Sequence, residues 1–204
     1  MPAVRSRILD VVHDAYPENF EGPAPSKLIG ERIFGGPTPH PNEVLNLFVQ
    51  QKITSALPMA YYMAARRGLD SLMGKRLPAS ARLSPEILYL AIRGLMILRE
   101  VEFKVTHRSI PGSKGTHRSC SQVNCPSRNT TGPRISGAHQ EVVDRIVGSA
   151  RSGTRLLEDI SLREVCGDDC LRFCESCVQQ WEAGHVGGRK DVWGKLPDMF
   201  GLKV

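Results

Sequence analysis

All six cysteines of this chain fall in its C-terminal half, at positions 120, 125, 166, 170, 174 and 177. Cysteines used only as small core residues would scatter, so a cluster of this kind constrains the fold by its chemistry. Cys120-x4-Cys125 and Cys174-x2-Cys177 have spacings at which two sulfurs converge on one ion. Four thiolates around zinc make a closed tetrahedral structural site. Bringing residue 120 next to residue 177 would fasten everything between them, so metal binding would contribute directly to folding. The expectation is one structural zinc held by Cys120, Cys125, Cys174 and Cys177.

Two other arrangements stay open at this level. On a helix, Cys166, Cys170, Cys174 and Cys177 would share one face and could be a buried stripe of small residues. A site of Cys170, Cys174 and Cys177 completed by His117, His185 or Cys120 is the other. The Cys174-x2-Cys177 pair does not read as a redox motif, because no βαβ pattern surrounds it.

Apolar residues make up 41% of the 204-residue chain and charged residues 24%, the balance of an ordinary globular protein. Residues 1–16 carry Arg5, Arg7, Asp10 and Asp14 and lead into no uninterrupted apolar stretch, which argues against a secretory leader. No apolar run approaches the ~20 residues that span a bilayer. The best candidate, 87–98, contains Arg93. The expected setting is therefore the cytoplasm or nucleus, with no membrane partner. Disulfides are rare there and clustered cysteines more often bind metal.

The formal charge is +6, which permits a nucleic-acid or acidic partner, but the basic residues are spread along the chain. The densest group, Lys104, His107, Arg108, Lys114, His117 and Arg118, lacks the interleaved aromatics of a base-stacking surface. It reads as a solvated loop.

Helical periodicity dominates and alternating strand patterns are nearly absent. Val4, Ile8, Val11 and Val12 set a helix over 3–15, which Pro17 stops. Residues 21–41 are rich in Pro and Gly and form a linker. Asn42 is the expected N-cap of a helix over 43–53 with Val44, Leu45 and Phe48 inward. A third helix starts near Pro58 and ends at Gly68. A fourth begins with Ser84 as cap and Pro85 in the first position. Ile87, Leu88, Leu90, Ala91, Ile92, Leu95, Met96, Ile97 and Leu98 make it apolar nearly all round, the pattern of a helix at the centre of its domain. Residues 102–106 continue that helix. A Pro-, Gly- and Ser-rich loop follows over 108–137. Helices resume over 139–150, 169–181 and 189–195, and an apolar tail of Leu196, Pro197, Phe200 and Leu202 docks on them.

The sequence thus predicts an all-α fold, an irregular helical bundle in three parts. Residues 1–107 form a bundle, 108–137 a cysteine-containing loop, and 138–204 a cysteine-rich helical segment packed on the first part.

Catalytic signals are weak. His185 lies among Gly184, Gly187 and Gly188, and a histidine in such a turn reads first as a helix cap and only second as a ligand or base. The glycines lack the Gly-Lys-Ser/Thr ending of a phosphate loop. Cys120 with His117 is the one thiol–imidazole pair worth naming, and proximity in sequence alone is a slight signal for a nucleophile. No serine sits in an elbow motif.

Three segments, in order, resemble the region that follows the BTB fold in fungal BTB/POZ-domain proteins. The first is Ala15-Tyr16-Pro17-Glu18 with, after a Pro-rich spacer, Pro39-His40-Pro41-Asn42-Glu43-Val44-Leu45-Asn46-Leu47. The second is Ile53-Thr54-Ser55-Ala56-Leu57-Pro58-Met59-Ala60-Tyr61-Tyr62. The third is Phe173-Cys174-x2-Cys177 with Gly184-His185-x2-Gly188-Arg189, Trp193 and Leu196-Pro197-x2-Phe200-Gly201-Leu202. The resemblance spans about residues 3 to 202. It implies a helical extension with an interaction or scaffolding role, a protein partner, and no catalytic residues. The BTB fold itself is expected N-terminal to such a region, and its strand-rich pattern is not in this sequence. BTB-mediated dimerisation and docking to cullin-type ligases are therefore not carried over.

The function expected is a non-enzymatic protein-interaction module with a structural zinc. The alternatives are a basic zinc-containing nucleic-acid binder and, behind it, a cysteine-dependent enzyme.

Overall fold

The computed structural model describes residues 39–74, 77–109, 156–157 and 174–202. The expected helices over 3–15 and 139–150, and Cys120, Cys125, Cys166, Cys170 and His117, lie outside these residues, as does the loop expected over 108–137 except for Arg108 and Ser109, which the fourth helix takes as its last residues. Among the described residues the elements are all helical: α1 (Pro41–Gln51), α2 (Leu57–Ala65), α3 (Leu69–Met73), a 3-10 turn (Ala79–Ala81), α4 (Pro85–Ser109) and α5 (Glu175–Met199). The fold is all-α, as the periodicity predicts.

The first helix starts earlier than expected. His40, not Asn42, is its N-cap, extended at φ −63° and ψ 134°, with Pro41 in the first turn. The backbone ahead of a proline is pushed to such angles, and proline suits the first helical position. The His40 imidazole accepts the Asn42 N–H at 3.2 Å, while the Glu43 carboxylate accepts the His40 N–H at 3.0 Å. This is a capping box with histidine in the usual Ser/Thr place. Asn42 is instead fully buried, and its side-chain amide donates to the carbonyls of Ser71 at 3.1 Å and Ala81 at 3.0 Å. Asn46, one turn on, does the same to Ser80 and Arg82. Two asparagines on α1 thus grip the carbonyls of Ser71 in α3 and of Ser80, Ala81 and Arg82 in and after the 3-10 turn. Neither α3 nor the 3-10 turn shows in the periodicity, because both are too short to display one.

Among the described residues the central helix is α2, not α4. Every residue from Met59 to Ala65 is buried, and α2 touches α1, α3, α4 and α5. Its alanines let four neighbours approach closely. The fourth helix buries Ala91, Leu95 and Leu98 but leaves Tyr89 66% and Met96 60% exposed. An apolar sequence all round therefore gives a half-buried helix here, and its continuation through 102–106 holds.

The largest departure is α5. The expected break at 184–188 is absent, and one 25-residue helix runs from Glu175 to Met199. Each interior glycine costs up to about 1 kcal/mol relative to alanine. Packing outweighs that cost: Cys177, Trp181, His185, Arg189, Val192, Leu196 and Met199 recur at three or four residues and are all buried. Gly188 is needed where the helices cross, since a Cβ there would stand 2.5 Å from a Val105 methyl of α4. The helix ends in a Schellman motif. Leu202 N–H donates to Pro197 C=O at 2.8 Å, Gly201 N–H to Asp198 C=O at 3.0 Å, and Gly201 takes φ +65°.

That motif turns Phe200 inward, and the expected docking of the tail is observed. The ring is fully buried and stacks on Tyr61 of α2 with centroids 5.2 Å apart. It fills a notch over Gly94 of α4, where an added Cβ would meet it at 1.9 Å. A second tie runs through the buried residues 156–157. Leu157 N–H donates to the Tyr62 hydroxyl at 3.1 Å, and Leu157 C=O accepts from the Arg189 guanidinium at 3.1 Å.

Two glycine substitutions should therefore act in opposite directions. Gly94→Ala should destabilise by about 1–3 kcal/mol through overpacking. Gly187→Ala, with nothing within 4 Å of its Cβ, should stabilise by up to about 1 kcal/mol. Urea denaturation midpoints check both, and a neutral Gly94→Ala would show that the notch is not constraining. Tyr62→Phe should cost about 1–3 kcal/mol by leaving the buried Leu157 N–H unmatched.

Candidate functional site

Of the four expected zinc ligands, Cys174 and Cys177 are described. Cys174 is the N-cap of α5, with φ −76° and ψ 161°, and is half-buried. Cys177 follows at the third helical position and is buried. The first turn of α5, from its N-cap to its third position, thus carries both cysteines. The first N–H groups of a helix have no intrahelical acceptors and carry its partial positive charge. Cys174 also marks the helix boundary, so the expected helix through 169–181 has its described start at Glu175.

His185 does not join this pair. It lies about two turns further along, roughly 12 Å at 1.5 Å per residue, with Trp181 between. Its imidazole stacks on the Trp181 indole at 4.8 Å and 14°, and it is buried inside the helix rather than capping an end. Among the described residues, no group of three or more His, Cys, Asp or Glu side chains is placed to hold a metal. On one continuous helix His185 lies too far along to share an ion with Cys177, so the alternative completed by His185 fails on geometry.

A second polar cluster, missed in the sequence, surrounds the start of α1. His40, Glu43, Ser71 and Ser80 come together from three elements. The imidazole Nε2 lies 3.2 Å from the Ser71 hydroxyl, and the Ser80 hydroxyl donates to Glu43. A histidine beside a serine invites a nucleophile–base reading, and the hydrogen bonds argue against it. Nδ1 accepts the Asn42 N–H, which places the proton of the neutral ring on Nε2. Nε2 then donates to Ser71 and cannot deprotonate it. The cluster is a clasp joining α1 to the 71–82 segment. Its sequence signal was the spacing His40-x2-Glu43 ahead of an apolar run, with the proline that also marked Ser84-Pro85.

Burial chiefly, and Arg67 second, hold the His40 imidazole below its ordinary 6.5, with Glu43 pulling the other way. The Ser80 hydroxyl chiefly, and the His40 N–H second, hold the Glu43 carboxyl below 4.5. Both groups bind protons less readily folded than unfolded. Their contribution to stability is complete above those values and is lost as pH falls through the folded ones.

No helix among the described residues is long and apolar enough to cross a membrane. No protein-family model, curated protein or solved structure matches the chain.

The melting temperature should fall as pH drops below about 6.5. His40→Asn keeps an acceptor at the N-cap and removes the titrating ring, so it should flatten the upper part of that decline. Thermal melts across pH read the effect, and an unchanged slope would remove His40 as its source.

Proposed function

We propose that this protein works by binding other proteins rather than by catalysing a reaction, as a helical module of the post-BTB kind whose C-terminal part is stapled by one structural zinc. The observation that supports the reading is the placement of Cys174 and Cys177 on the first turn of α5. The same helix packs lengthwise on α4 and touches α2. Zinc bound there would cross-link the start of α5 to the segment carrying Cys120 and Cys125, and would contribute its binding energy to folding. The role of these cysteines is architectural. The thiolates are ligands, and the metal supplies a cross-link and no reaction. The motif order that resembles fungal BTB proteins supports the interaction role.

Elemental analysis of the untagged protein should find one zinc per chain. Cys120→Ser and Cys174→Ser should each lose it, with a fall in melting temperature. Metal-free protein that keeps its fold and melting temperature would overturn the staple.

A further inference from the structure

The solvent face of α4 carries a charge order that inverts when the helix is turned end for end. Glu86, Tyr89, Arg93, Met96, Glu100 and Lys104 are all exposed and follow one another at three or four residues, so they form one line along the helix. An ordinary solvated line would be charged or polar throughout. This one has Tyr89 and Met96, both more than half exposed, alternating with acid and base. Tyrosine, methionine and arginine are the residues enriched at protein interfaces.

Reversal about Met96 sets Arg93 against Glu100, Glu86 against Lys104, and Met96 against itself. Tyr89 then meets the turn that carries Lys104. Parallel pairing in register would instead place Arg93 on Arg93 and Glu100 on Glu100, which repels. A two-fold axis is the symmetry under which one patch is its own partner. Glu100 pairs with Lys104 within the helix at 2.5 Å, but both side chains are more than half exposed, and such surface pairs contribute little. Arg93 of a second copy can take that carboxylate.

We propose that two copies of this chain associate through antiparallel α4 helices about an axis at Met96. Tyr89 and Met96 supply the apolar contact and the Arg93–Glu100 pairs fix the direction. The inference rests on the reading that the protein binds other proteins, but it uses none of the cysteines. Zinc content and self-association can therefore fail separately.

Sedimentation equilibrium of the full chain should show a monomer–dimer equilibrium. Arg93→Glu and Glu100→Arg should each weaken it by at least about tenfold. The two exchanges combined in one chain should restore it, because positions 93 and 100 are about two turns apart on one helix and only a second copy brings them together. A wild-type chain that stays monomeric overturns the proposal. So do single variants that dimerise like wild type, or a combined variant that stays monomeric with wild-type helicity.

Discussion

Phe200 in its notch over Gly94 is the contact on which the rest of the described structure depends. The ring sits between the central helix α2, through Tyr61, and the long helix α4, through the missing side chain of Gly94. Its position is set by the Schellman turn that ends α5. A fully buried aromatic carries a large apolar area, so this one residue anchors the last helix to both others. Gly188 acts further along the same interface by letting α5 approach Val105. Two glycines, on opposite helices, thus set how closely α4 and α5 pack.

The polar interior follows the same economy. The backbone of Leu157 is buried between α2 and α5, and both its N–H and its C=O are met by long side chains, Tyr62 and Arg189. Buried peptide groups must be hydrogen-bonded, and here side chains do what a helix would otherwise do. The start of α1 repeats the device: Asn42 and Asn46 hold the carbonyls of Ser71, Ser80, Ala81 and Arg82, and His40 with Glu43 closes the cap. In both places irregular backbone is tolerated inside a helical protein because a neighbouring side chain satisfies it.

The candidate site was partly legible. Cys174 and Cys177 stand out by spacing, but the helix expected over 169–181 would hold both inside it, and only the structure puts them at the N-cap and third position of α5. The role of His185 was not legible. Its glycine-flanked sequence reads as a turn, and only the stack on Trp181 and the buried face of α5 show that it is interior. Met96 was misread for the opposite reason. An apolar pattern says that a helix can be buried, but the number of neighbours decides which side is.

The sequence by itself determined the all-α class, the starts of α2 and α4, the inward face of α1, and the docking of the Leu196–Phe200 tail, because caps, prolines and helical periodicity are local properties. Only the tertiary structure decided that α5 runs unbroken through its glycines, that α2 rather than α4 is central among the described helices, and that His40 caps α1 while Asn42 goes to the core. Those outcomes depend on contacts between residues far apart in the chain, such as Gly94 with Phe200 or Asn42 with Ala81. Local propensities of about 1 kcal/mol per residue yield to the packing of a whole helix face.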